Sequence, residues 1–224
     1  MNKLKKKITV AQERWETLQN NTEPVIYVGA ASCGRAAGAT QLLAQIDRFL
    51  NETNTSAKVV QVGCIGPCYL EPLVDIQMPG QPRISYSNVT PKFLPTILDG
   101  HITKGKPLAK AALGHFGKTP FDGIPRFFDL PMLKPQVRIV LRNCGLIDPE
   151  EIDHYLAVDG YQGFMKALQM TPEDVIGAVR QAGLRGRGGA GFPTFKKWSF
   201  CRASQGEQKY LICNADEGDP GAFM

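Results

Sequence analysis

A chain of 224 residues with 21% charged and 43% hydrophobic side chains has the length for one or two buried cores and a globular composition, which excludes a disordered tail or a fibrous repeat. No apolar run approaches the roughly 18 residues of a membrane helix, and the lysine-rich start lacks the apolar stretch of a signal peptide, so the sequence reads as cytoplasmic, without direct membrane insertion. The net charge of +5 owes much to Lys3, Lys5, Lys6 and Lys7, a solvated end; the other basic residues are dispersed, which argues against a nucleic-acid partner.

Residues 8–20 place Ile8, Ala11, Trp15 and Leu18 at helical spacing, with Thr9 and Gln12 in the pattern of a capping box. Residues 25–28 read as a strand, 32–38 as a small, glycine-rich loop, and Leu42, Leu43, Ile46, Phe49 and Leu50 as a helical stripe. A second strand is expected at 58–62, a hairpin from 74–77 and 84–87 around Pro79-Gly80, and a closing helix at 91–98. A first domain thus spans residues 1–105. Pro120, Pro125, Pro131 and Pro135 mark 106–136 as an extended linker, because proline blocks regular ladders. A second domain begins at 137 with a strand at 137–141. Asp148, Pro149 and Glu151 signal one helix start, and Thr171, Pro172 and Asp174 another that Gly183 closes. A last strand is expected at 209–213.

Six cysteines without a secretory signal point to a metal centre or buried thiols rather than disulfides. Cys33 follows the first strand, and Cys64 and Cys68 flank the Ile65-Gly66-Pro67 turn after the second. Thiolates suit iron–sulfur clusters, and a 2Fe-2S cluster takes four protein ligands. Three cysteines therefore leave one iron short unless water, another side chain or a partner completes it.

Gly186-Arg187-Gly188-Gly189-Ala190-Gly191 fits a phosphate-cradling pattern, since glycines let backbone N–H groups approach an anion. It lies between two helices instead of after a strand, which rules out the ordinary dinucleotide fingerprint. Arg185, Arg187, Lys196 and Lys197 offer positive potential beside it or a solvated basic face. Phe192 and Phe200 suit either core packing or stacking on adenine. Asn214-Ala215-Asp216-Glu217-Gly218-Asp219 offers carboxylates to sugar hydroxyls, or a plain turn. His101, His115 and His154 suggest no role.

Over about residues 24–100 the layout resembles the thioredoxin-like 2Fe-2S ferredoxin domain, whose pattern is Cys-x4-Cys followed by Cys-x3-Cys. It departs at the first ligand, where Val28 stands. One reading is a degenerate domain kept for packing or docking, the other a domain that binds a cluster; the expectation is that no stable cluster forms and that Val28→Cys restores it. From residue 137 onward, Arg142-Asn143-Cys144-Gly145, the 184–194 loop, Lys197-Trp198-Ser199-Phe200 and residues 214–221 resemble the FMN- and NADH-binding subunit of respiratory complex I and its relatives in NAD-reducing hydrogenases, formate dehydrogenases and electron-bifurcating complexes.

That resemblance implies an α/β fold: a thioredoxin-like ferredoxin domain followed by the start of an FMN-binding domain at 137–224. It implies that Gly186, Arg187, Gly188, Gly189, Gly191 and Lys197 surround FMN, with Asn214, Asp216 and Glu217 on the flavin side. Phe192 and Phe200 would sandwich the adenine of NADH and Asp219 would face its ribose. Phe195-Lys196 before Lys197 departs from the family's Gly-Leu. The implied protein passes a hydride from NADH to FMN and single electrons to iron–sulfur subunits of a multisubunit oxidoreductase, which can be associated with a membrane-bound complex. A 4Fe-4S motif is expected only beyond Met224, and the 224-residue piece alone is expected to be inactive. The competing reading from another class is a non-catalytic docking module.

Overall fold

The computed structural model describes residues 2–208 together with Tyr210 and Ile212. Its elements are α1 (Asn2–Gln19), β1 (Val25–Gly29), α2 (Ser32–Ala36), α3 (Ala39–Glu52), β2 (Lys58–Val62), β3 (Val74–Gln77), β4 (Ile84–Tyr86), α4 (Leu94–Leu98), β5 (Ala112–His115), α5 (Ile152–Ala157), α6 (Gln162–Ala167), α7 (Pro172–Gln181) and α8 (Thr194–Ala203). Residues up to Gly160 form one compact unit and those from Tyr161 a second.

The first unit is built on one mixed sheet in the order β2-β1-β3-β4-β5. β1 runs parallel to β2 and antiparallel to β3, and β3, β4 and β5 continue antiparallel. A parallel pair joined through helices, followed by an antiparallel hairpin, is the thioredoxin-like arrangement. Strand side chains alternate between faces. Ile26, Val28, Val74, Ile76, Ile84 and Tyr86 therefore meet Leu42 and Ile46 of α3 and Leu94, Ile97 and Leu98 of α4 on one side. Val25, Tyr27, Val60 and Val62 meet Trp15 and Leu18 of α1 on the other. β1 is buried at every position, as expected of an apolar central strand covered on both faces.

Several elements differ from expectation. α1 begins at Asn2, so Thr9 lies inside the helix and its hydroxyl donates to the Lys5 carbonyl at 3.3 Å; the lysines expected of a solvated end ride on a helix. The glycine-rich loop contains α2. The 106–136 stretch contributes β5, whose residues precede Pro120 and so retain the N–H groups a ladder needs. Beyond it, Phe127 and Leu133 bury against Ile65 and Leu73. Residues 137–141 are irregular, running into a turn at 140–141 instead of a strand, with Val137 85% exposed. The strand expected at 209–213 lies outside the described residues apart from Tyr210 and Ile212, which are irregular.

Among the buried polar residues of the first unit is Arg83. Its Nε donates to Asp75 Oδ2 at 2.8 Å, Nη2 also reaches Asp75, and Nη2 donates to the Gly145 carbonyl at 2.9 Å. The guanidinium sits 3.9 Å from the Tyr27 ring centroid and 4.6 Å from that of Phe116. Both charged partners are buried. A buried pair contributes little against an apolar replacement, but removing one member strands the other charge. Arg83→Met is expected to destabilise the unit by about 3–5 kcal/mol, read as a shift of the urea midpoint, with the Arg83→Met, Asp75→Leu double variant recovering part of the loss.

His101 is fully buried. The Leu108 N–H donates to Tyr86 Oη at 3.2 Å, and Tyr86 Oη shares a hydrogen bond of 3.0 Å with His101 Nδ1, while Nε2 has no partner among the described residues. Burial pushes its pKa down to about 4. The unfolded chain, with a histidine pKa near 6.5, therefore binds the proton more tightly. The resulting stability is complete above about pH 6.5 and is lost progressively toward pH 4, about 3 kcal/mol in all. Urea titrations at pH 7 and 4.5 should show this loss shrinking in His101→Gln, which keeps a polar partner for Tyr86 and does not titrate.

Candidate cofactor sites

Because β1 and β2 are parallel, with Gly29 opposite Val62, both thiol segments leave the sheet at the same edge. Cys33 lies in α2 and Cys64 just past β2, while Cys68 opens a short 3-10 turn. Their three sulfurs lie within 4.8 Å of one another, and Cys64 and Cys68 are 3.4 Å apart. The Gly66 N–H donates to Cys64 Sγ at 3.3 Å. Burial raises the Cys33 thiol pKa and pushes that of Cys64 up to about 12, so the two are neutral thiols at physiological pH and metal loading must release protons.

Three converging thiols suit a soft or borderline metal. Val28 does not join them, since its side chain packs in the main apolar cluster with Ile26 and Leu42. The residue that sequence reasoning missed is Glu71. It is buried, its Oε1 lies 4.0 Å from Cys33 Sγ, and its Oε2 accepts the Leu73 N–H at 2.7 Å. Burial raises its carboxyl pKa. Its place three residues after Cys68 was the available signal.

The thiol loop is braced from a distant segment. Arg138 donates to the Ile65 carbonyl at 2.7 Å and to the Cys144 carbonyl at 3.1 Å. Gly145, at φ +76°, lies so close to Ile65 that an added Cβ would come within 2.3 Å of Ile65 Cβ. Only glycine combines that conformation with that approach.

In the second unit, Thr171 caps α7 by accepting the Asp174 N–H at 3.1 Å, as its sequence signal required. The glycine loop joins α7 to α8. Its base is tied by the Gly186 N–H donating to the Phe192 carbonyl at 2.8 Å and the Thr194 N–H to the Leu184 carbonyl at 3.0 Å. Arg185 pairs with Pro193 across that base. Among the described residues, no backbone N–H from Arg187 to Gly191 donates to a protein acceptor. The loop thus presents a run of unpaired donors in front of α8, which suits an anion.

Lys197 stands beside this loop. A Cβ on Gly186 would lie 3.2 Å from its Nζ, and Nζ is 6.0 Å from the Phe192 ring centroid. The structure therefore brings Gly186, Phe192 and Lys197 together, with Arg187, Gly188, Gly189 and Gly191 on the projecting loop. Phe192 and Phe200 are exposed, and neither stacks on another ring among the described residues. Asn214, Asp216, Glu217 and Asp219 lie outside the described residues.

The first unit thus carries a thiol pocket, and the second a helix-flanked glycine loop with a lysine beside it. Residues 179–224 match the family model of the Nuo51 FMN-binding domain. The chain is 59% identical over 87 residues to the NADP-reducing hydrogenase subunit HndC of Solidesulfovibrio fructosivorans, covering 39% of this chain and 18% of that protein. It is 44% identical over 103 residues to a subunit of the NADH-quinone oxidoreductase of Aquifex aeolicus, covering 46% and 23%. The chain thus spans about a fifth of the length of these relatives. Among solved structures, the thioredoxin-like [2Fe-2S] ferredoxin from Aquifex aeolicus matches at 14% identity and a TM-score of 0.36, covering 42% of this chain and 99% of that one. An NAD+-reducing [NiFe]-hydrogenase matches at 22% identity and 0.38, covering 96% and 34%. Neither score carries an argument about the fold, which rests on the strand order above.

Gly145→Val is expected to displace Ile65 and open the thiol loop. Ellman titration under native conditions should then report faster reaction of Cys64 and Cys68 than in the parent, by about ten-fold for a local destabilisation near 1.4 kcal/mol.

Proposed function

We propose that this chain is part of the FMN- and NADH-binding subunit of a multisubunit NADH oxidoreductase, whose other partners are iron–sulfur subunits. The observation that carries this reading is the loop from Arg187 to Gly191, whose amides have no acceptor among the described residues, lying within the stretch that matches the Nuo51 FMN-binding domain. FMN, when bound, supplies the conversion between the hydride of NADH and single electrons. The residues of the chain bind and orient. Gly186, Gly188, Gly189 and Gly191 allow the backbone to approach the phosphate side, and Arg187 and Lys197 neutralise it. Phe192 and Phe200 offer exposed rings to adenine. Asn214, Asp216 and Glu217 are assigned to the flavin and Asp219 to the ribose of NADH. No side-chain nucleophile or general base is required.

In functional terms residues 1–105 form the ferredoxin-type domain that bears the thiol pocket, 106–136 the connecting strip, and 137–224 the start of the FMN-binding domain. No described helix is long and apolar enough to cross a membrane.

The test is flavin content and NADH-dependent dye reduction by the full-length protein. Space above Gly188 is open, so Gly188→Val leaves the local fold unstrained and its expected loss of FMN reads directly on ligand approach. Lys197→Ala should weaken FMN by about 10–100-fold, the scale of a lost charge-assisted hydrogen bond. Asp219→Ala should raise the KM for NADH while leaving flavin content intact. Full flavin content and parental NADH kinetics in Gly188→Val would sink the assignment.

A further inference from the structure

We propose that Glu71 is the fourth ligand of a 2Fe-2S cluster held by Cys33, Cys64 and Cys68, its carboxylate taking the part that Val28 cannot. The inference rests on the reading of the first domain as a 2Fe-2S type and is independent of the flavin assignment.

Glu71 is only 6% exposed. Buried carboxylates are rare unless paired or bound to a metal, yet no Lys, Arg or His pairs with this one among the described residues. One oxygen is held by the Leu73 N–H. The other accepts from the Cys33 thiol at 4.0 Å and has no further protein donor among the described residues.

The backbone around it is shaped to admit the carboxylate. A Cβ on Gly29, the last residue of β1, would lie 2.7 Å from Oε2 and 2.9 Å from Oε1, and one on Gly34 would lie 3.3 Å from Oε2. A side chain at position 29 would therefore evict the group. The end of β1 and the start of α2 leave a slot that the carboxylate fills beside Cys33.

The thiols converge within 4.8 Å of one another, and two of the ligand separations are short. Cys64 and Cys68 stand 3.4 Å apart, and Cys33 and Glu71 4.0 Å. Two ligands on one tetrahedral metal with bonds of about 2.3 Å sit roughly 3.5–4 Å apart, so each pair has the spacing to share one iron. The carboxylate lies outside the set of ligand atoms mutually within 4.8 Å. Replacement of cysteine by another ligand type at one iron of such a cluster is chemically sound, as imidazole-ligated clusters demonstrate.

The experiment uses the 224-residue chain, reconstituted anaerobically with ferrous iron and sulfide, desalted, and read by iron and sulfide content, visible absorption and EPR after dithionite reduction. The parent should retain two irons and two sulfides and give a rhombic 2Fe-2S signal. Glu71→Gln preserves shape and an acceptor for the Leu73 N–H, and far-UV circular dichroism reports whether it folds. It should lose iron about ten-fold or more faster. Glu71→Cys should retain the cluster with charge-transfer bands shifted by the added thiolate. Parental iron retention and an unchanged EPR signal in both Glu71→Gln and Glu71→Ala would overturn the role of Glu71 while leaving the cluster in place. Absence of iron and sulfide from the parent, or one zinc without sulfide, would overturn the cluster and the ligand together.

Discussion

The first unit depends on a single desolvated cation. Arg83, at the edge of β4, joins the sheet through Asp75, stacks between Tyr27 and Phe116, and grips the carbonyl of Gly145, 62 residues away. Gly145 in turn seats Ile65, whose carbonyl Arg138 also holds. Ile65 lies between Cys64 and Cys68, so the spacing of the thiols follows from a chain of contacts that starts at a guanidinium inside the core. The planar fork and aromatic stacking of arginine make this possible, and lysine would satisfy only part of it.

The two candidate sites use opposite physics. The thiol pocket is semi-buried, and its ligands come from segments far apart in sequence that the parallel β1–β2 pair brings to one edge. The glycine loop is local. Seven consecutive residues, Gly186 to Phe192, are closed by two backbone hydrogen bonds at their base and present backbone rather than side chains. The first kind of site needs a whole domain to exist. The second needs two flanking helices.

The same contrast explains what was legible in the sequence. The strands at 58–62 and 74–77 were readable because short apolar runs lie between turn residues, and α7 because Thr171, Pro172 and Asp174 are an unambiguous start. The helix-flanked setting of the glycine loop followed from those signals. The strip from 106 to 160 was not readable as part of the first unit. Its anchors, Phe116, Phe127 and Leu133, have no period, and Arg83 gives no sign in sequence that its acceptor is Gly145. Val137, Ile139 and Leu141 alternate like a strand but stay exposed, because alternation alone makes no ladder without a neighbouring edge. Glu71 was missed although it lies three residues after Cys68, because only the fold turns its carboxylate toward Cys33.

The embrace of α1 has a consequence for how the chain is made. Trp15 packs edge-on against His154 at 4.9 Å, and Arg14 pairs with Asp153, while Leu18 covers the sheet beside Val25 and Tyr27. The helix is synthesised before the sheet it covers, and it finds its last partners only after the chain has grown by the 139 residues that separate Arg14 from Asp153. Until then α1 has an apolar stripe and part of its cover missing, and the loop closure that completes it is among the longest in the unit, the kind of non-local contact that slows folding. A nascent chain stalled before α5 emerges would carry this helix only partly docked, available to chaperones at the stage when they are most needed.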